Sequence, residues 1–153
     1  MAQSYWHRRL TAGIAAASEA TFPQNELGAP DWKSTEMVRR MFEYLDDLPP
    51  PQRRLVKALF LFVEVAAIVL AGRLCRFSKL PVEARTAVIR RWRASRWLAF
   101  RVLGDAVKAT TTMIYMSHPS VIRYIEEYRC CARPLDPLEI PLRKLHAPQE
   151  LGA

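Results

Sequence analysis

Residues 55–74 read LVKALFLFVEVAAIVLAGRL and form the most hydrophobic segment of the chain. Apolar residues would lie on nearly every side of a helix formed by this sequence, a pattern typical of a helix with several neighbours. A membrane span needs about 20 nearly uncharged residues, and Lys57, Glu64 and Arg73 interrupt this segment. The sequence therefore predicts a buried helix, beginning at Pro51, at the centre of a helical bundle.

Further helices are predicted on both sides of this segment, because apolar residues recur there at spacings of three and four. Ser34 or Thr35 is positioned to cap the second helix through its hydroxyl. Few strand-type alternations occur. The predicted fold class is all-α: a single bundle of about five or six helices over residues 1–128, followed by an extended, proline-rich C-terminal arm over residues 129–153. Besides the central helix, the predicted helices cover about residues 6–21, 34–48, 81–94, 96–116 and 119–128.

The helix predicted at residues 96–116 has the most regular apolar stripe in the chain. Its members are spaced by four, four, three, four and three residues, as on one face of a helix. This spacing predicts that the stripe faces the core. The stripe consists of Leu98, Val102, Ala106, Ala109, Met113 and Met116.

The net charge of the protein is concentrated in residues 73–101, which contain nine Lys or Arg residues and one acid, Glu83. Their balance of +8 equals the formal net charge of the whole chain. Trp92 and Trp97 are interleaved with the arginines. One interpretation is a solvated helix face whose arginine stems pack over the two tryptophans. The other is a docking surface for an anionic partner, first of all a protein, with nucleic acid or an anionic membrane as the rivals.

The sequence offers no catalytic constellation. None of the common nucleotide-binding, nucleophile-elbow or metal-ligand motifs occurs, and His7, His118 and His146 are far apart in the chain. His118 is predicted to be a cap or a surface residue. We therefore assign no catalytic, cofactor-binding or metal-binding residue, and we expect that the chain is not an enzyme by itself.

The cysteines and the N-terminal residues bear on the compartment. Cys75, Cys130 and Cys131 have no metal-ligand spacing, and their odd number favours free thiols in a reducing compartment or, alternatively, one bridge to a partner subunit in an oxidising one. Arg8 and Arg9, followed by LTAGIAAA, weakly resemble a twin-arginine export signal, but this stretch also fits a helix. The expected location is the cytoplasm, or the periplasm if the chain is exported together with a partner.

A series of short motifs carries one family resemblance. In order, they are F-P at 22–23, L-G-A-P-D at 27–31, L-P-P-x-Q-R at 48–53, R-F-S-x-L-P-x-E-x-R at 76–85, W-x-x-S-R at 92–96 and Y-x-x-H-P at 115–119. In this order the chain resembles the small subunits typified by gluconate 2-dehydrogenase subunit 3. It is equally similar to the helical segment that precedes the flavin domain in long-chain alcohol oxidase-like and other glucose-methanol-choline oxidoreductases. The resemblance covers about residues 8–125.

The resemblance implies a non-catalytic accessory subunit that helps a large flavoprotein subunit to fold, to remain stable or to be exported. FAD would then belong to the partner and not to this chain. Docking would use the arginine face, the loop at residues 22–32 and the C-terminal arm. The alternative is a stand-alone basic module that binds nucleic acid or an anionic membrane. The candidate docking residues are Arg90, Arg91, Arg93, Arg96, Phe22, Trp32, Phe77 and His118.

Overall fold

The computed structural model describes the backbone of residues 2–70 and 75–132, and the side chains of residues 5–66 and 75–127. All regular elements in these ranges are helical, which confirms the all-α class and the predicted number of helices. The elements are α1 (Ala2–Thr21), α2 (Met37–Asp47), α3 (Pro50–Leu70), a 3₁₀ turn (Phe77–Lys79), α4 (Val82–Arg93), α5 (Leu98–Met116) and α6 (Pro119–Ala132).

The predicted boundaries are close to the observed ones, with two differences that matter. α6 continues to Ala132, so the predicted start of the arm at residue 129 falls inside this helix. α2 begins at Met37 and not at Ser34 or Thr35. The predicted end of the third helix, residues 71–74, and the arm from residue 133 onward lie outside the described residues. In the described part of the chain, no helix is long and apolar enough to cross a membrane.

The centre of the bundle is α1, and the prediction that the third helix occupies this place is wrong. α1 contacts α2, α3, the 3₁₀ turn, α4 and α5. Its buried face consists largely of small residues. Such residues contribute little to a hydrophobicity profile. Among the side chains of α3 that the structure describes, the buried ones, Phe60, Val63, Glu64 and Ala66, lie on one side of the helix.

Small residues allow α1 and α3 to approach closely. A methyl group placed on Gly13 would lie 2.9 Å from the backbone oxygen of Phe60 and 3.2 Å from Cγ of Glu64. Ala16, Ala17 and Ala20 continue the buried face of α1. The backbones can come this close because the interior is packed at nearly crystalline density and no large side chain separates the two helices here.

Arg85 is buried, although it belongs to the basic stretch at residues 73–101. Its side chain is 9 % exposed. The guanidinium donates to the carbonyl oxygen of Leu80 at 2.8 Å, to that of Ala16 at 3.3 Å and to Oε2 of Glu19 at 2.8 Å. Because every one of these acceptors lies near the α1–α4 contact, Arg85 joins the two helices and does not form part of the external arginine face.

Asp31, and not Ser34 or Thr35, organises the turn before α2. Its carboxylate accepts from the backbone N–H of Ser34 at 2.7 Å, and both hydroxyls donate back to its carbonyl oxygen at 2.9 Å. These hydrogen bonds from Ser34 favour the charged form and lower the pKa of the Asp31 carboxyl. The predicted hydroxyl cap is wrong because the residue before α2 is Glu36, which has φ 48° and makes no side-chain cap.

We predict that Gly13→Ala destabilises the protein. In an ordinary helix position, replacing glycine by alanine stabilises by about 0.5–1 kcal/mol. Here the added methyl group would press on a backbone oxygen, and overpacking of this kind costs about 1–3 kcal/mol. The free energy of unfolding, measured by urea titration, should therefore fall. An increase would contradict the close approach of α1 and α3.

We also predict that Arg85→Met lowers the free energy of unfolding by about 2–3 kcal/mol, because Glu19 and two carbonyl oxygens lose their donor. The matched control is Arg91→Met on the exposed side of the same helix, for which a change within about 0.5 kcal/mol is expected. Equal effects of the two substitutions would refute the joining role of Arg85.

Candidate functional site

α5 is apolar on two neighbouring faces, and only one of them packs into the bundle. The packed face meets α4, where a methyl group on Gly104 would lie 2.8 Å from Cγ of Arg93 and 3.2 Å from Cβ of Trp92. This close contact fixes the rotation of α5 about its axis. The buried residues of α5 are Leu103, Gly104, Val107, Thr111, Ile114 and Tyr115.

The predicted apolar stripe of this helix lies on the other face, and the expectation that it faces the core is wrong. Leu98 is 64 % exposed and Val102 is 55 % exposed; Met113 and Met116 are also exposed. The packed face contains Gly104, which permits the close α4 contact, together with Leu103, Ile114 and Tyr115. The regular spacing of the stripe therefore did not indicate which face of α5 is packed.

α3 presents a matching exposed face. Leu55, Phe62 and Val65 are 72 %, 52 % and 55 % exposed. This face could not be predicted from the sequence, because α3 is apolar on nearly all sides and its pattern does not distinguish packed from exposed positions. The triple proline that starts α3 gave no further signal about its rotation.

Between these two faces lies an apolar groove of about 560 Å³, here called the α3–α5 groove. One wall comes from α3 and the other from α5. Apolar side chains dominate the surface of the groove, and Thr110 is its one polar residue. The residues lining the groove are Leu55, Val56, Ala58, Leu59, Phe62, Ala99, Val102, Leu103, Ala106 and Thr110.

The charged residues that flank the groove in sequence are mostly basic. Arg54 precedes Leu55 on α3, and Arg101 precedes Val102 on α5; both are exposed, and Lys57 is half-buried. The one exposed acid on this part of α5, Asp105, accepts from Nε of Arg93 at 2.7 Å. These cations are neighbours of groove residues in sequence, whereas the surface of the groove itself is apolar.

The four arginines of the predicted docking face are exposed, in agreement with that part of the prediction. Arg90 and Arg91 lie in the last turn of α4, and Arg96 lies in the connection to α5. Arg93 is engaged with Asp105. Of the two tryptophans interleaved with these residues, Trp92 is 3 % exposed and belongs to the core, whereas Trp97 is 74 % exposed. Only Trp97 could contact a partner.

The loop at residues 22–32 is tied to the bundle. The ring of Phe22 stacks on Tyr115 with a centroid distance of 3.7 Å, and the backbone N–H of Trp32 donates to the carbonyl oxygen of Phe22. The hydroxyl of Tyr115 donates to the carbonyl oxygen of Pro30 at 2.6 Å. Phe22 and Trp32 are both half-buried, so only part of each side chain is accessible to a partner. Leu27, at 79 % exposure, is the freest apolar residue of this loop.

Two of the predicted docking residues have structural roles. Phe77 is completely buried and packs near Trp92 with a ring-centroid distance of 6.2 Å. Its assignment as a docking residue is corrected, because no part of its side chain reaches the surface. His118 is half-buried, and its Nδ1 lies 2.7 Å from the hydroxyl of Ser120 and accepts from the backbone N–H of Ser120 at 3.2 Å. These contacts agree with its prediction as a cap at the start of α6.

Among the described residues, no group of three or more His, Cys, Asp or Glu side chains could hold a metal ion. His7 stacks on Phe42 at 4.9 Å. Glu64 is buried and its Oε2 accepts from the hydroxyl of Ser78 at 3.0 Å, while Oε1 has no hydrogen-bond partner. Cys75 is a free thiol; the side chains of Cys130 and Cys131 and all of His146 lie outside the described residues.

Comparisons with known proteins add no relative. No family model, no curated protein and no solved structure matches the chain.

We predict that Tyr115→Phe lowers the free energy of unfolding by about 1–2 kcal/mol near neutral pH, because the partly buried hydrogen bond to Pro30 is lost. Burial raises the pKa of the Tyr115 phenol. Stability that depends on the neutral phenol is complete below about pH 10, the ordinary value, and is lost as pH rises through the higher folded value. Urea titrations at several pH values should show the difference between the two proteins narrowing above pH 10; a constant difference would contradict this origin.

Proposed function

We propose that the protein is a non-catalytic accessory subunit that binds a larger protein through the α3–α5 groove. The observation that carries this proposal is the exposure of Leu55, Phe62, Leu98 and Val102 on adjoining faces of two helices. Monomeric soluble proteins rarely expose a large continuous apolar surface, and such surfaces usually mark an interaction site.

The shape of the site supports a protein partner. A concave groove between two helices is the kind of surface that receives an amphipathic helix or an extended segment of another protein. Binding would remove from water both the apolar side chains of the partner and those of the groove. This burial stabilises a complex by about 25 cal/mol per Å² of apolar surface, before the free-energy costs of association are subtracted.

The resemblance described above suggests the kind of partner. Small subunits of the gluconate 2-dehydrogenase type, and the related helical segments, accompany flavoproteins that oxidise alcohols or sugars. We therefore propose a large flavoprotein subunit of the glucose-methanol-choline type, whose FAD would carry out the oxidation. The complex would form in the cytoplasm, or reach the periplasm with the partner.

The arginine face would have a separate role in docking. Arg90, Arg91 and Arg96 are exposed at one end of α4 and just beyond it. Exposed charges at the rim of an interface mainly accelerate encounter with an oppositely charged partner and exclude partners of like charge. The apolar groove would then contribute most of the affinity.

A second candidate function is binding to an anionic membrane surface. The observation in its favour is that Trp97 and Leu98 are highly exposed and lie between Arg96 and Arg101. Aromatic and apolar residues flanked by arginine are typical of proteins that lie at a lipid interface. We favour a protein partner because the largest apolar surface is concave, whereas insertion into lipid requires side chains that project.

The proposal predicts that the chain, tagged and purified from its native host, recovers a stoichiometric flavoprotein with an absorbance band between 350 and 500 nm. Leu55→Glu should reduce this recovery about tenfold or more, because a carboxylate would be buried in the apolar interface. Ile122→Glu is the matched control: it is similarly apolar and 46 % exposed, but it lies on α6 outside the groove.

Two outcomes would contradict the proposal. Recovery of a colourless protein alone would remove the flavoprotein partner, and pelleting with phosphatidylserine vesicles that depends on Trp97 would promote the membrane function. Equal losses from Leu55→Glu and Ile122→Glu would show that the groove is not the docking site. Arg90→Glu with Arg91→Glu should slow association with the flavoprotein and leave its dissociation nearly unchanged.

A further inference from the structure

We propose that a cavity between α1, α4 and α5, here called the basic cavity, binds a dianionic phosphate group. The cavity has a volume of about 160 Å³, and it shares no lining residue with the α3–α5 groove. Ala20 and Ile89 are its buried apolar lining residues. This inference goes beyond the proposed function, because the cavity is a separate site and its ligand is not a partner protein.

Three cations from two helices line the basic cavity. Arg90 and Arg93 lie three residues apart on α4 and therefore on one face of that helix, and Lys108 lies on α5. No acid is among the described residues that line the cavity. Like charges around one small space repel each other, and a bound anion would replace this repulsion by attraction to all three.

Most of the hydrogen-bond donors of these cations are available to a ligand. In the part of the chain that the structure describes, neither Arg90 nor Lys108 forms an ion pair. Arg93 donates through Nε to Oδ1 of Asp105 at 2.7 Å, and its two terminal nitrogens contact no acceptor among the described residues. Because a guanidinium has five N–H donors, Arg93 can still donate through the other four.

The helices that carry these cations are held together by close contacts. A methyl group on Gly104 of α5 would lie 2.8 Å from Cγ of Arg93, so the stem of this arginine packs directly on α5. The hydroxyl of Thr86 donates to the carbonyl oxygen of Ala20 at 3.0 Å and so joins α4 to the end of α1. A site whose donors are already positioned loses less conformational entropy when it binds a ligand.

The size and the charge of the basic cavity select the ligand. Sites for drug-sized ligands have volumes of about 300–1,000 Å³, so a cavity of about 160 Å³ fits a group of a few heavy atoms and not a whole nucleotide. A carboxylate has a single negative charge. A phosphate monoester has a charge of about −1.5 to −2 at neutral pH and three strong acceptor oxygens, which suits three cations better.

The donors in the basic cavity also suit phosphate. Arginine forms paired hydrogen bonds with phosphate oxygens, and lysine binds phosphate as a point charge. The two threonines that line the cavity contribute less, because the hydroxyl protons of Thr21 and Thr86 are already donated to backbone carbonyl oxygens. We therefore expect Arg90, Arg93 and Lys108 to bind the phosphate group, whether it is free phosphate or part of a lipid headgroup.

The test is a titration of the full-length chain with inorganic phosphate at low and constant ionic strength. Binding is followed by NMR of the backbone amides and of the arginine Nε–H groups. We expect saturable shifts at residues 20–21, 86–93 and 108, with a dissociation constant below about 1 mM. Acetate, which has one negative charge, should bind at least about tenfold more weakly under the same conditions.

The matched pair of variants is Arg90→Gln and Arg91→Gln. Both arginines are exposed on α4, but only Arg90 lines the basic cavity. Arg90→Gln should weaken phosphate binding about tenfold, because a charged donor is lost, and Arg91→Gln should leave it nearly unchanged. Both variants should keep the helical circular dichroism of the parent. Shifts that do not saturate and occur at all exposed arginines, or equal effects of the two substitutions, would overturn the inference.

Vesicles distinguish a lipid headgroup from free phosphate as the source of the ligand. Phosphatidic acid presents a phosphate monoester, whereas phosphatidylserine presents a diester. Stronger pelleting with phosphatidic acid that Arg90→Gln abolishes would identify a lipid headgroup. Equal pelleting with both lipids, together with saturable binding of inorganic phosphate, would identify free phosphate. These measurements use the chain without a flavoprotein, so the proposed function can fail while this inference holds, and the reverse.

Discussion

The close contact of α1 with its neighbours is the constraint on which the rest of the bundle depends. Gly13 allows the α1 backbone to approach that of α3, and Ala16, Ala17 and Ala20 form much of the remaining buried face of α1. A helix with small residues on its inner face can have neighbours on several sides at short distances. α1 therefore takes the central position, and the described side chains of the more hydrophobic α3 are packed on one face.

This arrangement explains why so much apolar surface remains exposed. Once α3 packs through Phe60 and Val63, its opposite face has no neighbour among the described elements. α5 is held in a fixed rotation by the contact at Gly104, which turns Val102 and Leu98 outward. The groove is thus a consequence of two separate close contacts between helices, one at Gly13 and one at Gly104.

The sequence was sufficient for the fold class and for most helix positions, because apolar spacing and proline punctuation are local signals. It was not sufficient for the rotation of each helix. The stripe of Leu98, Val102 and Met113 is regular enough to predict a core face, yet the packed face is the one containing Gly104 and Thr111. A close contact between helices at a glycine depends on the absence of a side chain, so a pattern of hydrophobic residues does not reveal it.

Two kinds of arginine occur within the single basic stretch of the sequence. Arg85 lies where its guanidinium can reach acceptors on α1 and at the start of α4, so it is buried and paired. Arg90 and Arg91, one further turn along, have no such acceptors nearby and stay at the surface. Their charge can contribute to binding only through a partner or ion of opposite sign, and at distances beyond about 8–10 Å salt largely screens this attraction.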